Sequence, residues 1–582
     1  MAILDKINTP NDVKKLSIKE MEDMSQEIRE HIIKRVNIVG GHMGPNLGMV
    51  EATIALHYVF NSPEDKFVFD VSHQCYTHKC LTGRKEAFTT VEDYFKYSGY
   101  TNCCESEHDM FSVGHTSTSV SLAVGVAKSR DLKGENGNVV AIIGDGSLSG
   151  GQALEGLNNA AILDSNIIIL VNDNEMSIAE NFGGMYKNLK ELRDTKGQAQ
   201  NNFFKTLGFE YCYIENGNDL GSLIETFKQV KDSKSPIVVH MHTQKGKGLA
   251  PAEQDREKFH WVVPNILDEN QPTEKVVDYT SVTCDYILEK AKQDKTVVAI
   301  TAATPGAVGF TKEFREELGN QYTDVGICEE HAIAYASGLA KTGSKPIFYV
   351  LSSFIQRTYD QISQDLCLNN SPATILVQWA GILPFDMTHL GCFDIPMISN
   401  IPNLVYLAPT CKEEYLAMLD WSVEQTQYPV AIRVPFGLYR ETGKEYQEDY
   451  SYLNKYFIEE EGKDVAIVAL GAFYELGEKV KEHLKSQTGI DATLINPRYI
   501  TGIDNEVLES LKENHKVVIT LEDGVLDGGF GEKITRFYGN SEMKVLNYGA
   551  TKEFTDRISY DELYKRYRLK DNLIVEDIQK CL

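Results

Sequence analysis

The sequence predicts an α/β protein made of three doubly wound domains, each a mostly parallel sheet flanked by helices. Two observations predict it. Short apolar runs rich in β-branched residues alternate with longer helical patterns, as crossover helices between parallel strands require. At 582 residues the chain is also too long for one hydrophobic core, and the alternation restarts twice along it.

In the first domain, residues 1–265, the runs DKFVFDV, VVAIIGDG, NIIILVND and SPIVVHMHT read as strands. The polar stretch PNILDENQPTEK, residues 264–275, reads as a linker. The second domain, 276–440, carries KTVVAITAAT, TDVGICEEH, KPIFYVLSS, PATILVQWAG, NLVYLAPT and PVAIRVPFG. The third, 441–582, is smaller and carries KDVAIVALGAF, DATLINPRYI and HKVVITLED.

Composition narrows the function classes. A formal net charge of −26 argues against nucleic-acid and anionic-membrane partners. No run approaches the ~20 apolar residues that span a bilayer, and the N-terminal MAILDKINTP does not resemble a signal peptide. The eleven cysteines contain no C-x-x-C pair, which disfavours a zinc or disulfide framework and favours reduced thiols in a cytoplasmic enzyme.

The stretch GDGSLSGGQALEGLNNAAILDSNIIILVNDN, from Gly144 to Asn174, places a Gly-Asp-Gly turn after one strand and Asn-Asp-Asn after the next. The helix-like segment between them makes a βαβ unit, so the two strand ends lie side by side, where open parallel sheets bind ligands. Asp-Gly turns alone are common. Asp145 and Asn174 together, with a backbone carbonyl near Met176 and two diphosphate oxygens, supply the oxygen ligands that Mg2+ takes. Gly144 and Gly146 let the backbone approach such a ligand. A plain nucleotide site is disfavoured, because GDGSLSG lacks G-x-G-x-x-G spacing and no GK[ST] accompanies it.

Longer segments carry a resemblance. GGHMGPNLGMVEATIALHYVFNSPEDKFVFDVSHQCYTHKCLTGR, ESEHDMFSVGHTSTS, NDNEMSIAEN, KGKGLAPAEQD, DVGICEEHA, SSFIQRTYDQ and THLGCFD occur in order along nearly the whole chain. Together with GDG…NDN they resemble the 1-deoxy-D-xylulose-5-phosphate synthase family of the transketolase superfamily. The resemblance implies domains of the thiamin-diphosphate-binding, transketolase-like type. The first would hold diphosphate and Mg2+, the second the aminopyrimidine, and the third would aid assembly of a homodimer.

The resemblance also implies site residues. Glu329, the first acid of GICEEHA, would activate the cofactor through its aminopyrimidine ring; on composition alone it is an exposed acidic turn. Phe354 would stack on that ring, where the plain alternative is core packing. His42 and His260 would serve near the reacting carbon, and His73, His115 and Ser147 would contact the cofactor. Lys245 and Lys247 of QKGKG are diphosphate candidates, Lys247 foremost, with a solvated basic loop nearly as good a reading. Asp386 and His389 of PFDMTHLG would line the acceptor pocket, and Arg357 and Arg433 would bind substrate.

Departures from the family pattern gather on the acceptor side. Trp379 of QWAG stands where the family has an arginine that holds the acceptor phosphate, and an indole cannot make bidentate bonds to phosphate. Leu351 stands where the family has tyrosine, the Asp386–His389 segment is one residue short, and the stretch near 185–203 is abbreviated. The implied reaction is thiamin-dependent decarboxylation of pyruvate and carboligation to glyceraldehyde 3-phosphate. It would give 1-deoxy-D-xylulose 5-phosphate, a precursor of isoprenoids and thiamin. The alternatives are a synthase-like enzyme with another aldehyde acceptor, a transketolase moving a two-carbon ketol unit, and a cofactor binder without turnover.

Overall fold

A computed structural model describes residues 2–268, 277–447 and 449–582; the expected linker lies outside the described residues from 269 onward. The chain divides into two compact units. One comprises Met1–Glu274 with Gly326–Cys328, the other Lys275–Val325 with Glu329–Leu582.

The first unit holds a five-stranded sheet of β1 (Lys66–Phe69), β2 (Val139–Gly144), β3 (Ile168–Asp173), β4 (Glu210–Ile214) and β5 (Ile237–His242). Its order is β1-β2-β3-β5-β4, and every pairing is parallel. The apolar runs do not alternate with polar residues because both faces of the sheet are covered. Val140, Ile142, Ile168 and Leu170 enter one core, while Val139, Ala141, Ile143 and Ile169 enter another.

Helix α1 (Ile18–Val39) starts at a capping box, in which Ser17 N–H donates to Glu20 Oε2 at 2.9 Å and Glu20 N–H to Ser17 Oγ at 3.3 Å. It stops at Gly40, whose φ is +80°. A Cβ there would meet the Val262 carbonyl at 2.9 Å, so glycine is needed for both the turn and the close approach. Directly after it, Gly41–His42 pairs antiparallel with Trp261–Val262, which brings two distant histidine-bearing segments together.

The second unit holds two sheets. The first comprises β6 (Val297–Thr301), β7 (Tyr322–Asp324), β8 (Lys345–Leu351), β9 (Thr374–Gln378), β10 (Val405–Leu407) and β11 (Val430–Val434). It is parallel throughout, in the order β10-β11-β9-β8-β6-β7. The second comprises β12 (Phe457–Glu460), β13 (Asp464–Ala469), β14 (Thr493–Asn496), β15 (His515–Val525) and β16 (Lys544–Ala550), in the order β12-β14-β13-β15-β16. Only β12 runs antiparallel. Both sheets feed one continuous core, which contains Phe348, Val350 and Ile375 from the first and Ala466, Val468 and Ile495 from the second.

The α/β class with mostly parallel sheets is as the sequence predicts. Three strands that the sequence reading passes over, β4, β12 and β16, are all edge strands. Their residues are largely half-buried or exposed, so their runs are less apolar. TDVGICEEH yields only a short strand, Tyr322–Asp324; Gly326 turns with φ +74°, and Glu329 opens a helix. Among the described residues no helix is long and apolar enough to cross a membrane.

Candidate active site

In the first unit the site is built at the carboxyl ends of β2 and β3, joined by helix α2 (Gly151–Ala160). The register pairs Gly144 with Asn172, so the turns carrying Asp145 and Asn174 are neighbours. Asp145 is buried, and its carboxyl accepts from Asn181 Nδ2 at 2.6 Å. Burial, with the Asp173 carboxylate adding to it, pushes the Asp145 carboxyl up to about 8. Asp173 is held below the usual range despite burial, because His240 at 2.9 Å and the Arg193 guanidinium at 2.5 Å bond to it.

The second turn is shaped locally. Asp173 Oδ1 accepts from Glu175 N–H at 3.1 Å, and Glu175 has a left-handed φ of +69°. This presents Asn174, whose Oδ1 is buried and accepts no hydrogen bond. Met176 bridges to Glu180 next along the chain. Helix α3 (Met185–Asp194) latches the first turn, since Tyr186 Oη donates to the carbonyls of Asp145 and Gly146 at 3.1 and 3.2 Å. A buried carboxyl that resists ionisation and a buried amide oxygen without a donor are both relieved by a hard cation. On that test the donor set fits Mg2+. Among the described residues no three His, Cys, Asp or Glu side chains group to hold a metal, so such a cation would rely on the one Asp145 carboxylate with amide, backbone and ligand oxygens.

Space beside the turn suits a ligand. A Cβ on Gly144 would meet no atom within 4 Å, whereas one on Gly146 would press on Ser177 at 3.0 Å. Ser147 is buried, and its carbonyl accepts from Ser117 Oγ at 2.8 Å. His115 lies two residues before Ser117, on the segment so tied to the turn.

Three of the four singled-out histidines come together. The ring centroids of His42 and His73 are 4.9 Å apart, those of His42 and His260 5.6 Å, and those of His73 and His260 5.4 Å. Asn46, which the sequence reading does not single out, pins two of them: its Nδ2 donates to the carbonyls of His42 at 2.8 Å and His73 at 2.7 Å. Burial, reinforced by Lys245, His73 and His42, holds His260 well below the ordinary histidine value. It is therefore a neutral imidazole at neutral pH.

The two lysines of QKGKG differ in their surroundings. Lys247 Nζ turns to the Asn218 carbonyl at 3.4 Å. Lys245 is the buried one, donating to the Ser177 carbonyl at 2.6 Å. Burial lowers it to about 7 although Asp145 opposes the shift. The cation that neighbours Asp145 and His260 is thus Lys245.

In the second unit Glu329 is the first residue of helix α4 (Glu329–Lys341). It is buried, while Glu330 is half-exposed. Burial raises the Glu329 carboxyl to about 7, with Arg357 opposing. Arg357 stands 3.5 Å from Glu329 Oε2, an oxygen that is buried and accepts no hydrogen bond. The arginine expected at the substrate therefore faces the candidate acid. The Phe354 ring is 5.6 Å from the His389 ring. Asp386 and His389 pair at 3.5 Å, and Thr388 joins them, its Oγ1 2.9 Å from His389 Nδ1. Burial works to raise Asp386, but hydrogen bonds and charge from His389 and Thr388 prevail and bring it down to about 2.

Arg433, the other arginine expected at the substrate, is committed to carboxylates. It is buried, with Nε 2.7 Å from Asp394 Oδ2, Nη2 3.1 Å from Asp394 Oδ1, and Nη1 on Asp523. A guanidinium so committed has no bidentate face left for substrate. Arg433→Leu is expected to cost about 3–5 kcal/mol of stability by stranding two buried carboxylates, read by denaturant unfolding. A variant of unchanged stability with a raised KM would restore the substrate role.

Trp379 follows β9 with φ +56°, a strained conformation for a bulky residue. Its carbonyl packs where a Cβ on Gly391 would meet it at 2.1 Å, and Gly381 N–H donates to Gly391 O at 2.9 Å. This closes the 381–391 loop that carries Asp386 and His389. Leu351 ends β8, opposite Gln378, and is buried.

The family model described as 1-deoxy-D-xylulose-5-phosphate synthase matches residues 4–202 and 194–243. The transketolase pyrimidine binding domain matches 275–442, and the transketolase C-terminal domain 454–574. A 1-deoxy-D-xylulose-5-phosphate synthase of Clostridium tetani is 38% identical over 619 aligned positions, covering 100% of this chain and 99% of that protein. One of Lachnoclostridium phytofermentans is 38% identical, covering 99% and 98%. A solved transketolase from Leishmania mexicana aligns over 97% of both chains at 14% identity, with a TM-score of 0.45.

Proposed function

The chain belongs to the 1-deoxy-D-xylulose-5-phosphate synthase family, and on that premise we propose that it is a thiamin-diphosphate-dependent transferase condensing pyruvate with glyceraldehyde 3-phosphate. The products are carbon dioxide and 1-deoxy-D-xylulose 5-phosphate, which feeds isoprenoid and thiamin synthesis. Bound thiamin diphosphate supplies the electron sink for loss of carbon dioxide. The observation that carries the reading is Glu329: a buried carboxyl at the head of a helix, held at about 7, with Oε2 facing the Arg357 guanidinium at 3.5 Å.

Asp145, Asn174 and the Met176 carbonyl would hold Mg2+, and Gly144, Gly146, Ser147, His115 and Lys245 would surround the diphosphate. Phe354 would stack on the aminopyrimidine, and Arg357 opposes the burial that raises the Glu329 carboxyl. His42 and His260 hold and move protons at the reacting carbon and oxygen, for which the neutral imidazole of His260 suits either direction of transfer, and His73 contacts the cofactor. Asp386 and His389 orient the acceptor. Residues 1–265 act as the diphosphate domain, 276–440 as the pyrimidine domain and 441–582 as the assembly domain of a cytoplasmic homodimer.

The test is a product assay with pyruvate, glyceraldehyde 3-phosphate, Mg2+ and thiamin diphosphate. Carbon dioxide and a product of the expected mass should appear together. Cofactor-loaded protein that releases no carbon dioxide from pyruvate would overturn the proposal.

A further inference from the structure

The two sheets of the second unit meet along a seam. Ile500 N–H donates to the Tyr406 carbonyl at 2.8 Å, and Ala408 N–H to the Arg498 carbonyl at 2.9 Å, which sets the segment leaving β14 against β10. A cavity of about 790 Å³ opens beside this seam. The first sheet lines it with the segments that enter β9, β10 and β11, through Asn370, Leu404 and Tyr428. It therefore lies at the amino edge of that sheet, one five-residue strand (~16 Å) from the edge that leads to Asp386 and His389. The second sheet lines it with residues 501–503, just past the carboxyl end of β14, the edge at which parallel sheets bind ligands.

Helix α5 (Phe530–Tyr538) follows β15 and contributes two cations, Lys533 and Arg536, three residues apart on one face. Among the described residues no Asp or Glu lines the cavity, in a chain of net charge −26. Lys533 Nζ donates to the Ile500 carbonyl at 2.6 Å and to Ser399 Oγ at 3.0 Å, both neutral acceptors. Burial lowers this amine to about 8 although Glu522 opposes the shift. Glu522 is committed elsewhere, its two oxygens accepting from Phe530 and Gly531 N–H at 2.8 Å each. Arg536 is exposed and enters no ion pair among the described residues. A half-buried ammonium held by neutral oxygens, with an unmatched guanidinium one turn away, is completed by an anion.

The other polar side chains of the lining are neutral, among them Gln427, Thr501 and Asn454. Asn454 Oδ1 is buried and accepts no hydrogen bond. Its side chain has room because residue 502 is glycine: a Cβ there would strike Asn454 Cγ at 2.3 Å. A buried acceptor without a donor is satisfied by a ligand hydroxyl.

We propose that this cavity is a second ligand site, separate from the candidate active site, and that it takes a phosphorylated polyol. Lys533 and Arg536 hold the phosphate, and Asn454, Gln427 and Thr501 meet the hydroxyls. An apolar phosphoester fits less well, because it would leave Asn454 Oδ1 unpaired. The ligand touches segments of both sheets, so its binding fastens their seam and stabilises the folded chain. The inference stands apart from the carboligase reading and uses no residue of that site.

The test uses the full chain with Mg2+ and thiamin diphosphate present, and sorbitol 6-phosphate as the probe, which has no aldehyde to react. Isothermal titration calorimetry gives Kd for the wild type, Arg536→Ala, Lys533→Met and Asn454→Ala, with inorganic phosphate as the control probe. The wild type should bind one sorbitol 6-phosphate per chain, and its unfolding temperature should rise with probe concentration. Arg536→Ala should weaken binding at least about 10-fold, the loss of one charge-assisted contact, and abolish most of that rise. Asn454→Ala should weaken sorbitol 6-phosphate and leave inorganic phosphate unchanged. If Lys533→Met folds poorly, Arg536→Ala, at an exposed position, still decides. No binding at about 10 mM probe, or a Kd within about twofold of wild type in Arg536→Ala, overturns the inference. Inorganic phosphate binding as tightly as sorbitol 6-phosphate overturns the polyol assignment.

Discussion

Glu329→Gln is expected to lower kcat/KM for pyruvate by about 10²–10⁴-fold, the range for losing a positioned acid–base group. Glutamine keeps the size of the side chain and its hydrogen-bonding oxygen but cannot exchange a proton. The same substitution is expected to raise the stability of the cofactor-free protein, and the sign follows from burial. The carboxyl sits at about 7 in the folded chain, against 4.5 for the free group, so the folded state binds a proton that the unfolded chain has released. Stability therefore falls as pH rises from about 4.5 to about 7, by ~3 kcal/mol in all. Glutamine removes that slope. Denaturant unfolding of both proteins at pH 5 and pH 8 should show a stability advantage for the glutamine variant that is larger at pH 8. Equal slopes would mean that Glu329 is not the buried acid described here. Retained activity would remove it from the mechanism.

Asp145→Asn should weaken thiamin diphosphate binding in the presence of Mg2+ by at least about 100-fold, and Asn174→Ala by about 10–100-fold. Asp145 is the only carboxylate proposed to hold the cation, so its loss removes both charge and an oxygen; Asn174 contributes an oxygen alone. Without ligands Asp145→Asn should be no less stable than the wild type, because its carboxyl is already costly to ionise where it lies. The two effects separate in one thermal-unfolding series. The wild type should gain stability as cofactor and Mg2+ are added, by RT ln(1 + [L]/Kd), and the variant should gain far less. Equal gains would move the cation elsewhere. Asn181→Ala offers a graded comparison: Asn181 bonds the Asp145 carboxyl at 2.6 Å and should act through its position alone.

Much of this was legible because local pattern and chemistry coincide. The strands of the sheet interiors are covered on both faces, so they read as unbroken apolar runs, and turns carrying Asp145 and Asn174 end two of them. The edge strands were harder, since half-exposed residues blur the same signal. Asn46, Asn181 and Tyr186 were passed over for another reason. Each works through a hydrogen bond that reaches 27 or more residues along the chain, Asn46 to His73, Asn181 and Tyr186 to Asp145, and no spacing rule anticipates such a bond.

The chain by itself determined the α/β class, the βαβ unit that sets Asp145 beside Asn174, and the place of Glu329 just after a strand. These follow from periodicity and from the direction of parallel crossovers, which act over tens of residues. Only the tertiary structure decided which charges are already spent and which rings meet. Arg433 has the composition of a substrate-binding arginine, but Asp394 and Asp523, 39 residues before it and 90 after it, claim its guanidinium. Lys245 rather than Lys247 faces Asp145, and Trp379 finds Phe385 and Phe436. Burial and pairing depend on which distant segments share a few ångströms of space, and the folded chain alone fixes that.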